Sequence, residues 1–334
     1  PVKLWSDRIS LKHQNMTTNR GVAYEYAIAL TNLIGADPWF NMPHLADDDY
    51  IRNFALLTKS LLRPVLKAYV EYTNEAWNFG FPQATWIAIQ SGCIKNADGS
   101  WSQCPNYSRP YFVKRSAEIM DIWTGVFGSE ANRVVRVLGG FAASSWWNNQ
   151  MLQDPQGSNH FDALAIAPYF GGYLGYSDPN DPNGQPIVAG WTTSDIFDEI
   201  FNGGQYSPVS ALEQAANMVS KNAAVANQYG IDLISYEGGQ HLVGAHAIKE
   251  NATVTQLFID SNGDSRMGLA YERYLNDWKA NGGKLFMHFN HLGYWKKYGS
   301  WGAIRIQTEP DTPKFNALIS FVDTTPCWWL SCTR

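Results

Sequence analysis

The feature that most constrains this sequence is a repeated alternation of short apolar runs with amphipathic helices. Asp37–Asn41 reads as a strand end, and Asp47–Leu62 as the helix after it. Asp47, Asp48 and Asp49 suit that helix's N-terminal dipole, and Pro64 follows its end. Val65–Tyr72 is the next strand, with its helix delayed to Tyr111–Phe127 and closed by Gly128. Arg133–Leu138 and Ala163–Tyr169 read as strands. Helix Ala211–Tyr229 runs into strand Ile231–Tyr236, and helix Arg266–Ala280 into strand Lys284–Asn290. Such alternation specifies a parallel sheet covered by helices.

The loops separate the two architectures built this way. Long polar segments, 76–110, 139–160, 171–210, 238–265 and 291–301, all follow strands, while helix-to-strand connections are short. That asymmetry is the habit of the (β/α)8 barrel. No glycine-rich fingerprint follows the first strand, so a dinucleotide fold loses ground. The pattern contains six strands where a barrel needs eight, and one helix, Gly21–Ile34, precedes Asp37. The expectation is an α/β chain, a (β/α)8 TIM barrel lacking its first two strands, which would lie upstream of Pro1. Residues 1–334 would then be one N-terminally incomplete catalytic domain. The alternative, an open sheet, would leave exposed edges, and an incomplete barrel could close them by forming a homo-oligomer.

Composition narrows the partners. The net charge is −5 and no Lys/Arg cluster occurs, which disfavours nucleic acid and an anionic membrane surface. No apolar run reaches the ~18 residues of a membrane-spanning helix. No secretory leader is read at Pro1, so a secreted form implies a leader removed or left out. Aromatics make up 14% of the chain, with 14 Trp. Flat apolar surface in that quantity suits sugar rings as well as a core. Trp39, Trp146, Trp147 and Trp191 fall at strand ends or in long loops and are open to either use.

Four cysteines allow three pairings. Cys93 and Cys104 flank a turn-rich stretch, and Cys327 and Cys332 close a short C-terminal loop, so local pairing is the simplest. Neither spacing completes a zinc site. Two disulfides imply an oxidising, extracellular compartment. Sequons stand at Asn15, Asn106 and Asn251. Asp260–Asp264 and Asp178–Gly184 have the composition of calcium loops, but the first lacks the distal Glu, and both read as turns.

Two segments carry chemistry. Val70-Glu-Tyr-Thr-Asn-Glu-Ala-Trp77 ends a strand in Asn74 and Glu75, and Leu233-Ile-Ser-Tyr-Glu-Gly-Gly-Gln-His241 ends another in Glu237. Two carboxylates at the C-terminal ends of different strands are what glycoside hydrolysis requires: one protonated to release the leaving oxygen, one ionised to attack the anomeric carbon. Glu71, on the same strand face as Glu75, reads as deeper and structural.

These segments resemble the clan A glycoside hydrolases, with Val65–Tyr72 as strand four and Ile231–Tyr236 as strand seven. The stretch Gly35-Ala-Asp-Pro-Trp-Phe-Asn-Met-Pro-His44 is similar to a bacterial subgroup often described as cellulose-binding or cellulase-like. The resemblance implies a retaining enzyme with Glu75 as acid/base and Glu237 as nucleophile, needing no metal or cofactor. It further implies that Asn74 bonds the sugar 2-hydroxyl and that Tyr169, ending strand six, orients Glu237. Ala167 stands where much of the clan has His, and the clan's strand-two Arg has no counterpart here. Strand eight, Phe286-Met-His-Phe-Asn290, lacks the usual Trp platform, leaving Trp295, Trp301 or His288 to supply it. Asn290 at that strand's end, together with His44 and Trp39 at the end of strand three, completes the expected substrate contacts. The expected substrate is a β-linked polysaccharide, β-1,4-glucan first, with β-1,3-glucan, mannan and xylan as alternatives on the same scaffold. A carbohydrate-binding protein without catalysis would not need the carboxylate pair. An acyl hydrolase would need a Gly-x-Ser-x-Gly elbow, which this sequence lacks.

Overall fold

The computed structural model describes residues 2–16, 18–102, 104, 109–157, 159–309, 311–330 and 332. Sequon residue Asn106 lies outside them. The chain divides into two compact units: residues 1–141, 146–165 and 228–232 form the first, and 142–145, 166–227 and 233–334 the second.

The first unit holds α1 (Tyr24–Ile34), β1 (Trp39–Met42), α2 (Asp48–Leu61), β2 (Ala68–Tyr72), α3 (Pro82–Gln90), the two-residue strands β3 (Ile94–Lys95) and β4 (Trp101–Ser102), α4 (Arg109–Phe127), β5 (Val134–Gly139), α5 (Ser145–Leu152) and β6 (Ala163–Ile166). Its main sheet runs β1-β2-β5-β6, and every pair in it is parallel. The residues explain the elements. Asp47 caps α2 by accepting the Tyr50 N–H at 2.8 Å. Tyr50, Ile51, Phe54, Ala55 and Thr58 form the helix's buried face, spaced as one stripe of a 3.6-residue period. Arg133 closes the helix's other end, its guanidinium donating to the carbonyls of Leu62, Arg63 and Leu66. The chain therefore enters β2 from a fixed point. β3 and β4 pair antiparallel, and Cys93 is bonded to Cys104 beside them.

The second unit holds α6 (Thr193–Phe201), α7 (Ala211–Gln228), β7 (Asp232–Ser235), α8 (Ala252–Gly263), α9 (Ser265–Ala280), β8 (Gly283–Phe286) and α10 (Pro313–Thr324). β7 and β8 are parallel, with a register shift between Leu233 and Ser235. α9 buries Met267, Ala270, Tyr271, Tyr274, Leu275 and Trp278 along one stripe. Glu199 of α6 is fully buried and accepts from Tyr173 Oη and from the backbone N–H groups of Gln205, Tyr206 and Ser207, which pins the loop after that helix. Cys327 and Cys332 are bonded, so both disulfides pair locally.

The six strands expected from the sequence are present, five of them shorter than their apolar runs and β5 displaced by one residue. The run 65–72 pairs only from Ala68, the run 163–169 stops at Ile166, and the run 284–290 stops at Phe286. Pro168 explains the second case, since it has no N–H to give a ladder. Tyr169, His288 and Asn290 therefore stand beyond strand ends, not on strands. Asp260–Gly263 is not a turn: it is the last part of α8, and Asp264 caps α9 by accepting the Arg266 N–H. Among the described residues α1 precedes β1 and no strand does. No helix among them is long and apolar enough to cross a membrane.

Candidate active site

The first unit presents Trp39, His44, Asn74 and Glu75. β2 is buried at four of its five positions and delivers the chain into a sharp turn. Thr73 and Glu75 both take positive φ, 54° and 45°, in the left-handed region that non-glycine residues avoid. Two such residues within three positions mark a conformation held by its surroundings, a habit of functional sites. The holders are visible. Gln83 Nε2 donates to the Asn74 carbonyl at 2.8 Å, and the Asn78 N–H donates to the Glu75 carbonyl at 3.0 Å. Asn78 Nδ2 also donates to Glu75 Oε2 at 2.8 Å. Glu75 is half-buried. Behind it, Glu71 is fully buried on β2 and accepts the Trp39 indole N–H at 2.9 Å, while Trp39 stacks on Tyr69. His44 is half-buried, its carbonyl accepts from Tyr72 Oη, and burial holds its imidazole below the usual range.

The second unit presents Glu237 two residues beyond β7, half-buried between buried Ser235 and buried Gly238. The two glycines after it are required by contact. A Cβ on Gly238 would lie 2.7 Å from the Phe286 ring and 2.8 Å from Tyr274 Oη, and one on Gly239 would lie 2.6 Å from Tyr271 Oη. Gly239 also has φ 140°. The backbone beyond Glu237 thus lies flat on α9. Gln240, fully buried, anchors the next stretch of chain. Its N–H donates to Tyr271 Oη, its Nε2 to the Ser300 carbonyl at 3.0 Å, and its Oε1 accepts from the Leu242 N–H. Lys314 Nζ donates to the same Ser300 carbonyl.

Beside this turn Tyr169, His241 and Trp301 meet edge to face, with ring centroids 5.3, 5.0 and 5.7 Å apart pair by pair. Burial lowers the pKa of His241, whose Nδ1 is shut away from solvent. Trp301 is fixed by its indole N–H to the Tyr298 carbonyl. Trp295 stands apart from this group. It is 9% exposed, donates to the Gly302 carbonyl, and has Arg305 and Lys314 over its ring. His288 packs edge-on to Tyr271, and both its ring nitrogens are buried. It borders a recess of about 480 Å³ lined by Leu275, Leu285, Phe286, Phe315 and Trp328. That apolar surrounding drives the His288 pKa down to about 4, so the ring is neutral at physiological pH. Asn290 is held by backbone bonds to Trp301 and Ala303, and its Oδ1 is buried.

No family model matches the sequence, and no curated protein matches it. Solved structures do match. An α-L-arabinofuranosidase of Thermotoga maritima is similar at TM-score 0.52 and 12% identity, over 96% of this chain and 58% of that one. A Bacteroides ovatus xyloglucanase (TM-score 0.45, 11% identity, 83% and 51% covered) and an endo-β-1,4-mannanase of Cellulomonas fimi (0.44, 11%, 83% and 46%) are also similar. The chain spans 58% of the length of the arabinofuranosidase. What that likeness carries is the fold. The chain is an α/β protein of parallel strands and covering helices, of the (β/α)8 class, with the two leading strands of that class not among the described residues.

The sequence alone did not single out Asn78, Gln240, His241 or Lys314. His241 and Gln240 sit in the Gly-Gly-Gln-His run directly after Glu237, and Asn78 three residues after Glu75, so proximity in sequence was the signal available.

Proposed function

We propose that this chain is a retaining glycoside hydrolase that cuts a β-linked polysaccharide, β-1,4-glucan first, with Glu237 as nucleophile and Glu75 as acid/base. The observation that supports this most is the setting of the two carboxylates. Each stands just past the C-terminal end of a parallel strand, half-exposed, on a backbone that surrounding contacts hold in an unusual course. That is where barrel enzymes place reacting groups. In the first step Glu237 attacks the anomeric carbon while Glu75 gives its proton to the departing oxygen. In the second, Glu75 takes a proton from water, which displaces Glu237. Tyr169, His241 and Trp301 line the neighbourhood of Glu237 as candidate sugar contacts, and His44, just past the end of β1, is a candidate in the first unit. Trp39 is not one: it opens β1 opposite Tyr69 rather than ending it, and its indole is spent on buried Glu71. The two disulfides fit a protein exported to an oxidising compartment.

The test is an assay of the purified chain against β-1,4-glucan, β-1,3-glucan, mannan and xylan, with product sizing and proton NMR of the first product formed. The expected result is internal cleavage of β-1,4-glucan, with the β-anomer appearing first. Glu75→Gln and Glu237→Gln should each lose about 10³-fold or more in kcat with folding intact. Near-wild-type hydrolysis by either variant, or an initial α-product, rejects the assignment.

A further inference from the structure

We propose that Asn78 is a positioning residue for Glu75, holding Oε2 of its carboxyl group and stabilising the charge that appears there when the proton leaves. This rests on the acid/base reading of Glu75.

The Asn78 amide is set in one orientation by two contacts of opposite kind. Its Oδ1 accepts the Gly80 N–H at 2.9 Å, which only an oxygen can do. Its Nδ2 therefore faces Glu75 Oε2, at 2.8 Å. A flipped amide would set an oxygen against the carboxylate and an N–H against an N–H. The backbone of the same residue closes the turn on both sides: its N–H goes to the Glu75 carbonyl and its carbonyl accepts the Phe81 N–H at 2.9 Å. One residue, through side chain and backbone together, thus ties the positive-φ turn at Glu75 to the start of α3.

The consequence is chemical. The Asn78 N–H bonds the ionised carboxylate more strongly than the neutral acid, so it favours the charged form of Glu75. In the first step the carboxyl O–H bond of Glu75 breaks toward the glycosidic oxygen, which also takes the electron pair of the broken C–O bond. The negative charge left on Glu75 is then shared with Oε2, where the amide donor is already in place. Its hydrogen bond strengthens as the charge appears and needs no rearrangement. In the second step the Glu75 carboxylate accepts the proton of the attacking water, and the original state returns.

The variant that isolates this role is Asn78→Asp. It is isosteric and keeps an oxygen for the Gly80 N–H, so the turn survives, but it replaces the donor to Glu75 with an acceptor. Removing the donor disfavours ionised Glu75, and an added carboxylate disfavours it further. The alkaline limb of the kcat/KM profile, which reports loss of the acid's proton, should move to higher pH by about one unit or more. The kcat near neutral pH should fall about 10-fold or more, through the proton-accepting second step, with KM changed less than kcat. Asn78→Ala should move the limb in the same direction by less. Should turnover be too slow to measure, carbon-13 NMR titration of Glu75, with and without Asn78→Asp in a Glu237→Gln background, reads the same displacement. A folded Asn78→Asp protein with an unmoved alkaline limb, or an unmoved Glu75 titration, overturns the proposal. Undiminished hydrolysis by Glu75→Gln is a different result, and it overturns the acid/base reading itself.

Discussion

A lysine on the second residue of a helix meets the positive end of the helix dipole, and Lys314 of α10 is in addition fully buried. Burial drives its amine well below the ordinary value of 10.5. What it gains is a hydrogen bond to the Ser300 carbonyl, shared with Gln240. The amine therefore secures the segment that leads into Trp301. The cost shows as a dependence on pH. The unfolded chain keeps this amine protonated up to about its ordinary value, whereas the folded chain releases the proton well below it. Across that window the unfolded state binds the extra proton, so this residue's contribution makes stability rise with pH. Lys314→Met removes the contribution. The variant should therefore gain on the wild type most near neutral pH, and the gain should shrink toward about pH 10. Thermal unfolding of both proteins across that range checks it, and parallel Tm–pH curves would refute it.

At the scale of elements, the course of the chain beyond β7 depends on packing against α9. Gly239→Ala would set a methyl 2.6 Å from Tyr271 Oη at a φ of 140°. The expected loss is about 2–4 kcal/mol, from strain together with overpacking. Tyr271→Phe removes the clashing oxygen, at the cost of the Gln240 N–H bond. The two changes should therefore be less damaging together than their sum. A denaturant double-mutant cycle measures this, and strict additivity would mean the contact is not what demands glycine. Elements also differ in how far the residues announced them. α2 was legible because Asp47 caps it, a buried stripe recurs at helical spacing and Pro64 stops it. α3, α5, α6 and α8 fell in stretches that read as loop, and α10 in a stretch given no element. α8, Ala252–Gly263, is mixed and polar at its end, and its start is set by Asn251 accepting the Val254 N–H, a contact visible only once folded. Strand ends were over-extended because an apolar run continues past the last paired residue, as at Ala167 and Pro168.

For the whole molecule, the parallel α/β architecture was legible because it is dictated by the order of elements. Each unit bears it out: β1, β2, β5 and β6 pair in parallel in the first, and β7 with β8 in the second. The local disulfide pairs were legible because short separations leave few other partners. The environment of the candidate site was not. Positive φ at Thr73 and Glu75 runs against the preference of both residue types, so no propensity points to it. The Tyr169–His241–Trp301 group joins residues far apart in the chain, and Trp295, equal to Trp301 on sequence grounds, is instead packed under Arg305 and Lys314. The central claim is that Glu237 becomes covalently bound to sugar. The most direct measurement is to incubate the protein with a 2-deoxy-2-fluoro-β-cellobioside bearing a good leaving group, digest it, and locate the label by peptide mass spectrometry. The account predicts one sugar adduct, on Glu237, formed as activity is lost. A label on another residue, or inactivation by the reagent with Glu237 left unmodified, would contradict the account.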